Sequence, residues 1–169
     1  MARLSLTFKP DYDDYHTVNQ AATFNKPTVI LIILMGVVSV GTVLALGLGW
    51  VKVASERLLL YLLPPAMFVF FLIYTPINLK RTAQKAAKDP DEIHWRVSKA
   101  GISVSKGEET TKYTWEGMGY IEELEGYFII FSRTNRSEFI FIPKTAFADP
   151  AEEDAFRELA EENLESVKR

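Results

Sequence analysis

The chain lacks cysteine altogether and has only two histidines, His16 and His94, among its 169 residues. Without cysteine, disulfide bonds, thiolate metal sites and cysteine nucleophiles are excluded. Neither histidine stands at a metal-ligand spacing from the other or from a suitable carboxylate. The sequence also lacks a phosphate-binding loop, a nucleophile elbow and a dinucleotide fingerprint. We therefore expect no metal, no cofactor and no enzymatic activity.

Charged residues are missing from two long segments. Val29 to Trp50 and Leu58 to Leu79 contain no Asp, Glu, Lys, Arg or His. A helix of about 20 apolar residues crosses a hydrocarbon layer of about 30 Å, and the rest of this chain is too short to bury two such helices. Insertion of the first segment is favoured by on the order of 4 to 8 kcal/mol from its Val, Leu and Ile residues. The sequence predicts a transmembrane hairpin over residues 28–80, with helices at about 29–50 and 58–79 joined by a turn.

Cations flank this hairpin at its outer ends. Arg3, Lys9 and Lys26 precede it, in a lead of residues 1–27, and Lys80, Arg81, Lys85 and Lys88 follow it. The positive-inside rule therefore predicts a multi-pass protein with both termini in the cytoplasm. The second group falls largely in a basic helical stalk over residues 81–90, within reach of anionic lipid headgroups, so membrane lipid is an expected partner.

Small residues recur along the first apolar helix. Gly41, Ala45 and Gly49 stand four positions apart and would let a neighbouring backbone approach closely. The neighbour is either the second helix of the same hairpin, which the short turn favours, or a second copy of the chain.

After Pro90 the apolar pattern changes to a period of two, which is typical of strands with one buried face. Six short runs either show this alternation or are bounded by turn residues. They are Ile93 to Ser98, Ile102 to Val104, Lys112 to Trp115, Tyr120 to Leu124, Tyr127 to Phe131 and Glu138 to Ile142. They predict an antiparallel meander in a domain over residues 91–169.

A helix closes this domain. Asp149 is a suitable N-cap and Pro150 suits the first helical position, so we predict a helix over residues 150–167. Its apolar face would consist of Phe156, Leu159, Ala160, Leu164 and Val167.

Several of these residues resemble the carboxyl-terminal domain of the YcxB-like proteins. The resemblance rests on Gly101 and Ile102, Trp115, Tyr127 to Phe131 and, above all, Ile142, Pro143 and Lys144 with Phe147, followed by an acidic helix. These are small bacterial membrane proteins of uncharacterised function. The resemblance implies an α+β cytoplasmic domain with a seven-stranded, bent antiparallel sheet or barrel of the pleckstrin-homology-like (PH-like) kind, capped by the final helix. It implies a bacterial cytoplasmic (inner) membrane and assigns no catalytic or ligand residue here.

A seventh strand is available in the lead. Leu4, Leu6 and Phe8 alternate with polar residues, so we predict that residues 2–9 pair with an edge of the carboxyl-terminal sheet. The segment Asp11 to Thr23 would then form a helix. This helix lies either at the membrane interface or packed on the domain, and its three aspartates disfavour anionic lipid.

Charge restricts the partners of the domain. From Pro90 onward, ten Lys and Arg residues face 17 Asp and Glu residues, a net charge of −7. This balance disfavours nucleic acid and broad attraction to anionic headgroups. Two smaller clusters remain, a cationic one of Arg133, Arg136 and Lys144 and an acidic one of Glu122, Glu123 and Glu125. We interpret both as solvated surface, and Trp115 as a core residue.

These observations favour a membrane-tethered module that binds a protein or peptide, at a sheet edge or a helix groove. An oligomeric transport protein or channel accessory subunit is the alternative, although its helices would contain unusually few polar groups. An open apolar groove between the last strand and the final helix would favour peptide binding. A filled groove would favour self-association through the small-residue strip, giving a homo-oligomer.

Overall fold

The computed structural model describes residues 4–51, 58–88, 91–135 and 138–168. The chain divides into two compact units, a sheet domain of Met1–Val18 with Lys85–Arg169 and a helical unit of Asn19–Gln84. The predicted turn between the two long helices covers residues 51–57, of which 52–57 lie outside the described residues, as do Ala2, Arg3, Asp89, Pro90, Arg136 and Arg169.

The chain contains four helices and eight strands within its described residues. The helices are α1 (Tyr12–Thr23), α2 (Lys26–Gly47), α3 (Leu58–Ala86) and α4 (Pro150–Asn163). The strands are β1 (Leu4–Phe8), β2 (Ile93–Ser98), β3 (Gly101–Lys106), β4 (Glu109–Tyr113), β5 (Met118–Glu123), β6 (Tyr127–Ser132), β7 (Phe139–Pro143) and β8 (Glu165–Lys168). Short 3₁₀ turns occupy Trp115–Gly117 and Lys144–Ala146.

Helix α2 has well-defined signals at both ends. Asn25 caps its start by accepting a hydrogen bond from the Thr28 amide at 3.0 Å. Gly49 follows its end with a φ of +67°, and the Trp50 amide donates back to the Ala45 carbonyl at 3.0 Å. This is a Schellman arrangement, which needs a left-handed residue at the position of Gly49. The helix therefore ends at Gly47, three residues before the predicted end at Trp50.

Helix α3 continues past the predicted end at Leu79. Its 29 residues span about 44 Å at the helical rise, so it exceeds the hydrocarbon thickness of a bilayer. Three prolines, Pro64, Pro65 and Pro76, lie inside it and each removes one backbone donor. The stalk is helical as predicted, but it ends at Ala86 rather than at residue 90.

Both α2 and the greater part of α3 are long and apolar enough to cross a membrane, and only 6% of the apolar stretch of each is buried within the protein. Their large apolar side chains are exposed along most of their length, from Val29 to Leu48 and from Leu58 to Ile77. A core helix of a soluble protein would instead be covered by neighbouring elements.

The sheet domain consists of two four-stranded sheets. Sheet A has the order β1-β2-β3-β4, all antiparallel, and sheet B has the order β7-β6-β5-β8, in which β8 runs parallel to β5. In sheet A, β1 pairs with β2 in a register that places Leu6 opposite Trp95 and Phe8 opposite Ile93. The predicted pairing of the amino-terminal strand with the carboxyl-terminal sheet is therefore confirmed.

One hydrophobic core fills the sheet domain. Its buried members come from β1, from both sheets and from α4, and include Leu6, Trp95, Ile102, Trp115, Phe128, Ile130, Ile142 and Phe156. Trp115 is buried as predicted, and its indole Nε1 donates to the Ser98 carbonyl at 2.9 Å. Gly101 permits the turn before β3, because its φ is +140° and a Cβ there would lie 2.2 Å from the Tyr113 carbonyl oxygen.

The predicted helix over residues 150–167 is wrong at its end. Helix α4 stops at Asn163, and Leu164 adopts an extended conformation with its side chain buried. The chain then forms β8 along the edge of β5, with Tyr120 opposite Glu165. The unpaired backbone of β5 offers hydrogen bonds that a further helical turn could not make. Six strands follow the stalk before α4, as predicted, but the run predicted at Lys112 to Trp115 is wrong in its bounds: β4 is Glu109–Tyr113, and Trp115 begins a 3₁₀ turn whose amide and carbonyl groups leave the ladder. β8 is an eighth strand that the sequence pattern did not reveal.

The pairing of β1 makes a prediction about stability. Leu6 is 1% exposed, whereas its neighbour Ser5 points outward and is exposed. Leu6→Ala should lower the free energy of unfolding of the sheet domain by about 2 to 5 kcal/mol, because it leaves a cavity in the core. Ser5→Ala is the matched control and should change it by less than about 0.5 kcal/mol. Near-ultraviolet circular dichroism of the detergent-solubilised chain during denaturation measures both, and equal stabilities of the two variants would contradict the pairing.

Candidate functional site

Five charged side chains form an ionic clamp between sheet B and α4. Glu123 at the end of β5 accepts from Lys144 Nζ at 2.8 Å and from Arg157 Nη2 at 3.0 Å, both at its Oε1. Arg157, on α4, also pairs with Glu153 one turn earlier and with Asp154. We call Glu123, Lys144, Glu153, Asp154 and Arg157 the ionic clamp.

The two cations of the clamp lie over the ring of Phe128, which belongs to an aromatic cluster. Lys144 Nζ is 5.0 Å and the Arg157 guanidinium carbon 5.5 Å from the centre of the Phe128 ring. Phe128 in turn makes edge contacts with Phe147 and Phe156, with ring centres 5.9 and 5.1 Å apart. Side chains therefore fill the space between the end of β7 and α4, and the helix groove considered as a peptide site is closed.

The electrostatics of the clamp indicate a structural role. Burial alone would raise the pKa of the Glu123 carboxyl, but hydrogen bonds from Arg157 and Lys144 outweigh burial and hold this pKa below its ordinary value. The hydrogen bond to Glu123 raises the pKa of Arg157. Glu123 and Arg157 are consequently charged near neutral pH, and neither is poised to transfer a proton.

The interpretation of the acidic and cationic clusters as solvated surface is partly wrong. Glu122 is 2% exposed, and the Glu123 side chain is 16% exposed within the clamp. Lys144 is bound in the clamp and so does not join Arg133, which is exposed. Arg136 lies outside the described residues, and Glu125 is exposed as predicted.

The family-signature residues hold the domain together. Ile142 and Pro143 are buried at the end of β7, Lys144 begins the 3₁₀ turn, and Phe147 packs below the clamp. Of the predicted apolar face of the last helix, Phe156, Leu159, Ala160 and Leu164 are buried. The side chain of Val167 is outside what the structure describes.

The first half of α1 packs on sheet B. Asp11 and Asp14 cap its start reciprocally through their amides and carboxylates at 2.8 and 2.9 Å. The Tyr127 hydroxyl donates to Asp14 Oδ1 at 2.8 Å, and the ring of Tyr15 packs edge-on against Phe141. Burial and the hydrogen bond to Asp14 raise the pKa of Tyr127. These contacts favour the packed alternative for this helix over the interfacial one.

The closest approach of a glycine on α2 to α3 lies outside the small-residue strip. The close approach occurs instead at Gly36, where a Cβ would lie 3.2 Å from the ring of Phe68. Among the described residues, no atom of α3 lies within 4 Å of the corresponding position at Gly41, and Gly49 lies beyond the end of α2. Gly41 and Gly49 therefore lack the close helix contact that the preferred interpretation expects of them, whereas Ala45 is half-buried.

The predicted lipid-contacting cations are exposed. Lys80 and Arg81 lie on α3, Lys85 lies in its last turn, and Lys88 follows the helix. Arg81 and Lys85 are separated by four positions, so they lie on one helical face.

The outward side of sheet A is a polar surface. Cross-strand pairing aligns two rows, Ser5–Arg96–Ser103–Lys112 and Thr7–His94–Ser105–Thr110. The Thr7 hydroxyl and His94 Nδ1 are 2.9 Å apart, as are the hydroxyls of Ser105 and Thr110. We call these eight residues the polar face, and it contains no carboxylate although the domain as a whole is acidic. His94 faces outward in its strand, as predicted.

Among the residues that the structure describes, no group of three or more His, Asp or Glu side chains could hold a metal ion.

Residues 97–160 match the YcxB-like protein family. The sequence resemblance is thereby confirmed over the segment from the end of β2 to the last turn of α4. The match includes the signature residues Trp115, Ile142, Pro143, Lys144 and Phe147 and every member of the ionic clamp, whereas β1 and the long apolar helices lie outside it. No curated protein and no solved structure matches the chain.

The YcxB-like segment yields a prediction on the ionic clamp. Glu123→Gln should lower the free energy of unfolding by about 1 to 2 kcal/mol near neutral pH, because it removes a partly buried charge with two cationic partners. The folded-state pKa of Glu123 lies below its ordinary value of 4.5. Its stabilisation is therefore present above that pH and disappears as the pH falls through the folded-state pKa.

Thermal unfolding of the solubilised chain, followed by near-ultraviolet circular dichroism, measures this effect. The difference in melting temperature between the wild type and the Glu123→Gln variant should become smaller on acidification. Glu125 is exposed, so Glu125→Gln is the matched control, and its melting temperature should show no comparable difference from that of the wild type. A difference that stays constant with pH would contradict the assigned role of Glu123.

Proposed function

We propose that the chain is an integral protein of the bacterial inner membrane, anchored by α2 and α3. These helices hold a small acidic PH-like module at the cytoplasmic surface, where a sheet edge binds a protein or peptide. The proposal contains no catalytic step, and its partners are membrane lipid and protein rather than nucleic acid.

The pairing of β1 with β2 carries this proposal. The two strands are neighbours in one sheet, yet Thr7 and His94 are 87 positions apart and both long apolar helices lie between them. A chain that leaves a folded domain and returns to its adjacent strand must cross a bilayer an even number of times. Two crossings, one for each helix, satisfy this requirement.

The exposure of the apolar helices supports a lipid environment. Exposed apolar surfaces that extend along two whole helices are rare on soluble monomers. Each apolar side chain left in water forgoes the favourable free energy of transfer into an apolar environment. Lipid tails would cover the side chains that the protein leaves bare. The cations Lys80, Arg81, Lys85 and Lys88 would then lie near headgroups on the cytoplasmic side.

The strand order supports a PH-like fold. Four consecutive antiparallel strands form sheet A, three more form most of sheet B, and the helix that follows packs on the shared core. β8 is an addition to that arrangement. The apolar helices occupy the connection between the first two strands, so the module is attached through two neighbouring strands.

Tethering favours an interaction role. Confinement to the membrane raises the effective concentration of the module towards partners on the same surface, so weak contacts are sufficient. The helix groove is closed by the ionic clamp, which leaves the sheet edges as docking surfaces.

Self-association is a second candidate, favoured by the closed groove and by the open space beside Gly41. An oligomer of this kind could serve as a channel accessory subunit. The described parts of α2 and α3 between Val29 and Leu79 have no ionisable side chain other than tyrosine, which disfavours an ion pathway through them.

Single cysteines in this cysteine-free chain test the topology. Val51→Cys should react with a membrane-impermeant maleimide on intact cells, because it follows α2 at the outer end of the hairpin. Ser5 and Ser103 both lie in sheet A, on β1 and β3. Cysteines at these two positions should therefore react only after lysis. Different labelling of Ser5→Cys and Ser103→Cys, or labelling of all three from outside, would contradict the proposal.

Chemical crosslinking in native membranes tests the interaction role. The proposal predicts a crosslinked partner other than the chain itself, identified by mass spectrometry against an uncrosslinked control. Recovery of the chain's own copies alone would contradict it and favour self-association.

A further inference from the structure

Among the described residues, one long sheet edge is uncovered. β1 and β7 lie close together, with Phe8 and Phe141 ring centres 6.0 Å apart, and the Lys144–Ala146 turn lies against β1. The free side of β5 is occupied by β8, a strand of only four residues. β4 has β3 on one side and no strand on the other, and its residues from Glu109 to Lys112 are exposed.

The polar face ends at this edge. Each of its two rows runs across all four strands and stops on β4, one at Lys112 and one at Thr110. The row that ends at Lys112 also contains Arg96, so it presents two cations and no carboxylate. A strand added beside β4 would place alternate side chains on this side of the sheet, directly beside Lys112 and Thr110.

We propose that β4 is the docking edge for an extended acidic segment of a partner protein, which joins sheet A as a fifth strand and sets a carboxylate opposite Lys112. This inference rests on the proposed function and names the site and the chemistry of the partner. Backbone hydrogen bonds to the edge supply affinity, and the polar face supplies selectivity.

Lys112 explains why the edge accepts one class of strand and rejects others. A lysine on an edge strand discourages indiscriminate pairing, because a neighbouring strand must bury or oppose its charge. Opposite charges placed across from one another stabilise pairing, whereas like charges destabilise it. A second copy of β4 brings only Thr110 and Lys112 to this side, so it offers no carboxylate to Lys112.

Peptide binding to the full chain in phosphatidylcholine nanodiscs tests the proposal. The probe is a fluorescent octapeptide of alternating Glu and Thr, and its matched control alternates Lys and Thr. We expect saturable binding of the Glu-Thr peptide alone by fluorescence anisotropy. Lys112→Glu should weaken this binding by about tenfold and confer binding of the Lys-Thr peptide, since it inverts the charge opposite the added strand.

Lys106→Glu is the matched control variant. Lys106 is an exposed cation at the end of β3, outside the polar face, where it pairs with Asp91 at 3.9 Å. The Lys106→Glu variant changes the total charge by the same amount as Lys112→Glu. It should nevertheless leave the affinity for the Glu-Thr peptide within about twofold of the wild-type value. Equal loss of affinity in both variants would show nonspecific charge attraction and overturn the proposal.

Hydrogen exchange locates the bound peptide. Amides of β4 should exchange more slowly when the Glu-Thr peptide is present. Absence of saturable binding, or protection at β7 or β8 instead of β4, would overturn the assignment of this edge. Protection of β4 by a second copy before peptide is added would also overturn it. A native crosslinked partner that is unaffected by Lys112→Glu would overturn this inference while leaving the proposed function intact.

Discussion

The antiparallel pairing of β1 with β2 is the constraint on which the rest of the structure depends. β1 contributes Leu4 and Leu6 to a core whose other members lie after the long apolar helices. The sheet domain can therefore form only when the two ends of that apolar segment come together. In the proposed topology the bilayer enforces this proximity, because a two-helix hairpin returns the chain to the side from which it left.

The second organising feature is the fastening of α4 to sheet B. Phe156 on α4 packs its ring against Phe128 on β6, and the ionic clamp joins the same helix and sheet through the pair of Arg157 and Glu123. The lysine and proline of the family signature thus serve the fold, since Pro143 ends β7 and Lys144 joins the clamp. Since this groove is filled, the proposed docking role is assigned to the uncovered edge and the polar face of sheet A.

The sequence predicted those elements whose signal is periodic or compositional. Uncharged runs indicated the two long helices, and alternation of Leu4, Leu6 and Phe8 indicated β1. β8 was missed because Leu164 and Val167 also fit a helical period, and only the open edge of β5 decides between the two structures. Gly49 fits a small-residue strip and a helix terminator equally well. The clamp joins Glu123 to Lys144 and Arg157, and no local pattern connects residues so far apart.

Disulfide formation across sheet A tests the account most directly, because the chain has no native cysteine. Ser5 and Arg96 are direct cross-strand neighbours, whereas Ser5 and Ser103 are separated by the width of β2. Opposed residues of this kind lie within disulfide reach. Oxidation in native membranes should give an intramolecular disulfide in Ser5→Cys/Arg96→Cys and none in Ser5→Cys/Ser103→Cys. Failure of the first pair, or equal crosslinking of both, would contradict a domain assembled across the hairpin.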